Sequence, residues 1–216
     1  MSFTDSPRLI KGGIVLLDPD SGAMLRVIAL QYNPDTVSRS LIAQTVAAEG
    51  PNRSEPLRLK GPPIETFKLE AELDATDQLE FQNQTAAQVG LLPQLAVLET
   101  IVYPSSQTIL ANHALAQAGT LEIAPMEAPL ALFVWSSNRI VPVRITDFSV
   151  TEEAFDPNLN PIRAKVSLGL RVLSVDDFPW PHRGTGLYMV YQQQKEALAR
   201  RAPSVALSSL GVSSLA

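Results

Sequence analysis

The side chains able to do acid–base, nucleophilic or metal chemistry are few in this chain, and their spacing does not bring them together. His113 and His182 lie far apart, and neither belongs to a His-x-x-x-His pair that would hold a metal. Gly184-Thr185-Gly186 resembles part of a phosphate loop, but it lacks the following lysine and the preceding strand that such a loop requires. Asp18 and Asp20 bracket a turn without the further oxygen ligands of a calcium loop, so they read as turn formers. Glu70 and Glu72 are two apart and share a strand face, the geometry of a carboxylate pair; Lys68 on the same face makes them a charge row instead. Gly-x-Ser-x-Gly is missing, and with no cysteine in the chain there is no thiol nucleophile, zinc–thiolate site or disulfide. The expectation is a non-enzymatic protein with no cofactor and no metal; a hydrolase would have to draw its groups from unrelated segments.

Composition narrows the partners. A net charge of -5 lacks the basic footprint of a nucleic-acid binder. No apolar run reaches the ~18 residues of a membrane span, and Met1 to Lys11 does not read as a secretion signal, so folding in the cytoplasm is expected. Hydrophobic residues at 45% and charged residues at 18% describe a globular chain, and 17 prolines suggest many strand ends and stiff loops.

The elements that must position any site read mainly as β. Leu9–Leu17 and Ala23–Tyr32 are apolar arms around Asp18-Pro19-Asp20-Ser21-Gly22, a hairpin whose arms show little alternation and so call for cover on both faces. Ala43 to Gly61 reads as a long loop. Ile64–Leu73 alternates, with Phe67, Leu69, Ala71 and Leu73 on one face and Thr66, Lys68, Glu70 and Glu72 on the other. Leu91, Leu95, Leu98 and Val102 follow helical spacing with Pro93 in the first turn; Pro104 to Pro129 fits either a short helix or an extended loop. Leu130–Trp135 and Arg139–Val150 are strands, and a slip of apolar phase in the second predicts a β-bulge near Thr146 or Asp147. Ile162–Val172 is the clearest strand, with Arg163, Lys165, Ser167 and Arg171 outward. After Asp176 come an aromatic linker, a helix over Tyr188–Arg201 and a Ser/Ala/Leu-rich tail. The organisation is therefore a β domain over residues 8–174 and an extension over 175–216. Phe133 and Trp135 share one strand face and read as core; lining a pocket together with Phe148, they would make the chain a monomeric β-barrel carrier of a small apolar ligand. Trp180, held between two prolines, suits an anchor on a partner and equally a dock onto its own domain.

The order of these pieces resembles a known family. A hairpin ending in Leu30-Gln31-Tyr32-Asn33-Pro34, a Ser-containing loop, the strand ETFKLEAELD, the strand PLALFVW and the run RIVPVRITDFSVTEEAFDPNLNPIRAKVSLGLRVL together look like the tube-domain family of contractile injection systems, akin to phage tail-tube and Hcp-like proteins. The resemblance spans about residues 8 to 174. It implies two packed antiparallel sheets forming a small barrel with one packed helix, assembled as a sixfold ring around a channel within a phage-tail-like particle. It implies no enzymatic activity, and as partners other copies of the chain, a spike or hub protein, the tube protein and further baseplate proteins. The extension suggests the adaptor that joins spike to tube and starts tube assembly, with bulk inner-tube protein as the alternative; it lacks the pattern of the LysM module that such members often carry. On this reading Lys68, Glu70, Glu72, Arg163, Lys165 and Arg171 face the channel, and Tyr32, Asn33, Pro34, Trp180 and Tyr188 are candidate partner contacts.

Overall fold

The computed structural model describes residues 9–19, 21–45, 58–119, 128–212 and 214. Most of the expected 43–61 loop, and the stretch from 120 to 127, lie outside the described residues. Seven strands, β1 (Gly13–Leu17), β2 (Met24–Ala29), β3 (Val37–Ile42), β4 (Ile64–Asp74), β5 (Leu130–Ser136), β6 (Arg139–Phe155) and β7 (Pro161–Val172), form one antiparallel sheet in the order β2-β1-β5-β6-β7-β4-β3. The two expected sheets are thus a single hydrogen-bonded ladder, and among the described residues β2 and β3 end it without pairing to each other, so these strands form no closed barrel.

The ladder coils, which is how one sheet does the packing of two. Phe67 on β4 and Phe133 on β5 are separated by β6 and β7, about 14 Å in a flat sheet at ordinary strand spacing. Their ring centroids are 5.4 Å apart. The side chains of β1 and β5 therefore face those of β4 and β7 across one core that holds Ile14, Phe67, Phe133, Val141, Leu168 and Leu170. The bend is made where the phase slip predicted it. Pairing of β6 with β7 shifts register between Ile145 and Asp147, and an extra residue in one strand bends it and increases its twist. Gly169 sits opposite the bulge, where a Cβ would lie 2.7 Å from that of Asp147, so the bulge needs a glycine there.

Side-chain amides stand in for missing ladder bonds where the coil brings strand ends together. Gln31 Nε2 donates to Asp74 O at 2.6 Å while Gln31 Oε1 accepts from Asp74 N at 3.0 Å, clipping the end of β2 to the end of β4. Asn33 does the same for the start of β1, accepting from Gly12 N and donating to Ile10 O.

Among the described residues there are five α-helices, α1 (Thr76–Glu80), α2 (Gln84–Val89), α3 (Leu92–Glu99), α4 (Ser106–Gln117) and α5 (Arg183–Ala199); α1 and α2 were not expected, and α4 takes the helical alternative for the stretch after Pro104. Helix α3 is the one read from spacing. Its Leu91, Leu95 and Leu98 are buried, but the stripe continues to Ile101 and leaves Val102 exposed, because the chain turns after Glu99. Helices α1 and α2 are too short to show a period, and α4 has no buried residue, so neither leaves an amphipathic trace. Helix α5, in the expected extension, adds Tyr188 and Tyr191 to the main core. The first hairpin is covered unevenly. β1 lies between β2 and β5 and is buried, whereas β2 exposes Met24, Leu25 and Val27; full cover of both arms is not met within one chain.

Candidate functional site

The polar strand face is built by alternation. On β4, Lys68, Glu70 and Glu72 are exposed between buried Phe67, Leu69, Ala71 and Leu73. Antiparallel register puts Glu72 directly opposite Lys165, Glu70 opposite Ser167 and Asp74 opposite Arg163 on β7, and β6 continues the row with Thr151 opposite Lys165 and Glu153 opposite Arg163. Cross-strand neighbours share a face, so five of the six charged residues expected there (Lys68, Glu70, Glu72, Arg163 and Lys165) lie on one surface that carries both signs. Arg171 belongs to the same face but is drawn away at the far end of β7, where its Nη2 pairs with Asp177 Oδ1 at 2.9 Å.

Asp74 closes the row at the other end. Its carboxylate accepts from the Thr76 hydroxyl and backbone N and from Arg163 Nε at 3.0 Å. The Thr76 hydroxyl bond is the main reason its pKa is held below the ordinary value, with Arg163 adding to it.

The expected partner contacts are dispersed. Tyr32 and Trp180 are exposed, Trp180 at 73%, and Pro34 lies beside Tyr32. Asn33 spends its amide on the chain's own backbone. Tyr188 is 5% exposed, so what it touches is its own core. Phe133 is packed by Phe67 and Trp135, at ring distances of 5.4 and 5.9 Å, as core rather than as a cavity wall. His182 caps α5, its Nδ1 accepting from Gly184 N, and stacks on Phe178.

One polar cluster was missed from sequence. Glu65, only 2% exposed, accepts from Tyr191 Oη at 2.7 Å and Lys195 Nζ at 2.6 Å, with Arg39 Nε at 3.8 Å. Burial and the hydrogen bond to Glu65 push the Tyr191 hydroxyl pKa well above its usual value. The signal was present: Glu65 has the parity of Phe67, Leu69 and Ala71, so a carboxylate stood in an apolar row.

No family model and no curated protein matches this chain. Among solved structures it is similar to a chain from the tail of an empty gene transfer agent particle with C6 symmetry, at 15% identity over 75% of this chain and 90% of that one, with a TM-score of 0.31. A chain from the virion of a native gene transfer agent particle matches at 13% identity over 74% and 90%, with a TM-score of 0.28. Likenesses this distant carry no function. Among the described residues no helix is long and apolar enough to cross a membrane, and no cluster of three potential metal ligands occurs.

Proposed function

We propose that the chain is a structural, non-catalytic ring subunit of a phage-tail-like contractile injection apparatus, acting in the baseplate as the adaptor between spike and inner tube. The observation that supports it most is the pair of open sheet edges. β2 and β3 end the ladder unpaired among the described residues, and both expose large apolar side chains: Met24, Leu25 and Val27 on one, Leu41 and Ile42 on the other. An exposed apolar edge is a template for another strand. Because the two edges are different surfaces of the same chain, edge-to-edge pairing is heterologous and, with the right rotation, closes a ring. The charged face of β4 and β7 then suits a water-filled channel wall, and the resemblance to the tube-domain family implies sixfold closure.

The test is imaging and sedimentation of the purified chain, alone and with its spike partner. A ring is expected from the unmodified protein and a monomer from Val27→Lys combined with Leu41→Lys, both exposed positions where a charge leaves the fold intact. A chain that stays monomeric at high concentration, with and without the spike, sinks the reading.

A further inference from the structure

A cleft of about 590 Å³ lies where β5 begins and β6 runs towards its bulge. Leu130, Val143 and Ile145 of the sheet line it, with Ile101 beyond α3 and Leu173 and Phe178 of the segment that leads to α5. A cavity of this size with an apolar lining suits a small molecule, whose orientation is then set by a few polar groups. Among the described residues that line it, Arg144 and His182 can carry a positive charge, and none is a carboxylate.

Arg144 stands directly opposite Arg171 in the register of β6 with β7, and like charges placed so are unfavourable. Arg171 has its counter-charge in Asp177 at 2.9 Å. Arg144 is exposed and has no ion-pair partner among the described residues. His182 Nδ1 accepts from Gly184 N at 3.0 Å, so the neutral ring holds its proton on Nε2. That N–H has no acceptor among the described residues. The carboxylates nearest in sequence are engaged or face elsewhere. Asp18 accepts from the backbone N and hydroxyl of Ser21, and Asp177 from Arg171 and from Ser174 N. Asp176 lies against Gly61, and Glu99 and Asp147 line a neighbouring hollow. The cleft is therefore apolar with an uncompensated cation at its rim. Its strands are interior to the ladder, β5 between β1 and β6 and β6 between β5 and β7, so a peptide laid here finds no free strand edge to hydrogen-bond.

We propose that this cleft binds a free medium-chain fatty acid, its alkyl chain against Leu130, Ile145 and Phe178 and its carboxylate on the Arg144 guanidinium and His182 Nε2. A guanidinium takes a carboxylate through two parallel hydrogen bonds. The site is separate from the ring reading, since none of its lining residues lies on β2 or β3.

Isothermal titration calorimetry of the full chain with sodium octanoate, kept below its micelle concentration, tests the assignment. Saturable binding is expected, about tenfold weaker or more for 1-octanol, which lacks the charge, and absent for acetate, which lacks the chain. Arg144→Gln should weaken octanoate about tenfold or more, the scale of a lost hydrogen bond to a charged group, and leave 1-octanol unchanged. His182→Asn keeps a residue suited to cap α5 and should weaken octanoate several-fold. Ala128→Trp, at an exposed position that lines the cleft, should abolish binding of both ligands. Thermal melts without ligand separate loss of binding from loss of fold. Octanoate that does not saturate, 1-octanol that binds as tightly as octanoate, or variants Arg144→Gln and Ala128→Trp that bind octanoate like the parent overturn the proposal. None of these results touches the ring reading.

Discussion

Replacing Glu65 by leucine isolates the buried cluster that fastens α5 to the sheet. The substitution removes the acceptor of the Tyr191 hydroxyl, which is buried with its donor pointing at Glu65, and the counter-charge of Lys195. A buried donor left without a partner costs about 1–3 kcal/mol. Breaking a fully buried ion pair costs about 3–5 kcal/mol, but the Lys195 and Arg39 side chains are 28% and 41% exposed and regain water once released. The Tyr191 penalty therefore dominates, and the expected loss is about 2–3 kcal/mol. In a chain of this length that corresponds to roughly 4–12 °C in Tm. Adding Tyr191→Phe removes the orphaned donor, so the double variant should recover about 1–2 kcal/mol relative to the sum of the singles. Urea unfolding followed by circular dichroism measures both. The reasoning fails if Glu65→Leu lies within about 0.5 kcal/mol of the parent, the scale of an ordinary surface change, or if the two substitutions add.

Two further outcomes follow from the coil and its clips. Asp74 has a lowered pKa in the folded chain, so its contribution is present above the ordinary carboxylate range and is lost as pH falls through the lowered value; Asp74→Asn should flatten the loss of stability below about pH 4 while costing about 1 kcal/mol or less at neutral pH, as read from Tm against pH. Gly169→Val places a side chain against Asp147 at the bulge, and should destabilise by about 1–3 kcal/mol, measured by thermal melting; an unchanged Tm would show that the bulge does not need the glycine.

Strands were legible where alternation was clean. β4 alternates polar and apolar residues from Thr66 to Asp74 and β7 does so from Ile162 to Val172, and the bulge in β6 announced itself because an added residue moves every later side chain to the other face. The coil was not legible. Whether seven strands make two sheets or one depends on whether β6 continues through its bulge, and both outcomes have the same local pattern. The short helices α1 and α2 span too few turns to show a period, and α4 has no apolar stripe to bury. Asn33 and Gln31 look like surface polar residues in sequence because their partners, Ile10, Gly12 and Asp74, are distant backbone groups that only the coil brings near. Glu65 had a signal in its parity, yet its partners Tyr191 and Lys195 come from the C-terminal helix, more than a hundred positions away.

The uninterrupted run of β6 from Arg139 to Phe155, paired to β7 through Phe155 and Pro161 at one end and Val143 and Val172 at the other, also sets how the molecule carries load. A pull along this axis loads the rungs between the two strands side by side, so they must yield together. A pull across it would open them one after another. The subunit is therefore stiff along the axis of β6 and β7 and compliant at β2 and β3, so tension transmitted along that axis leaves the lateral edges free to adjust.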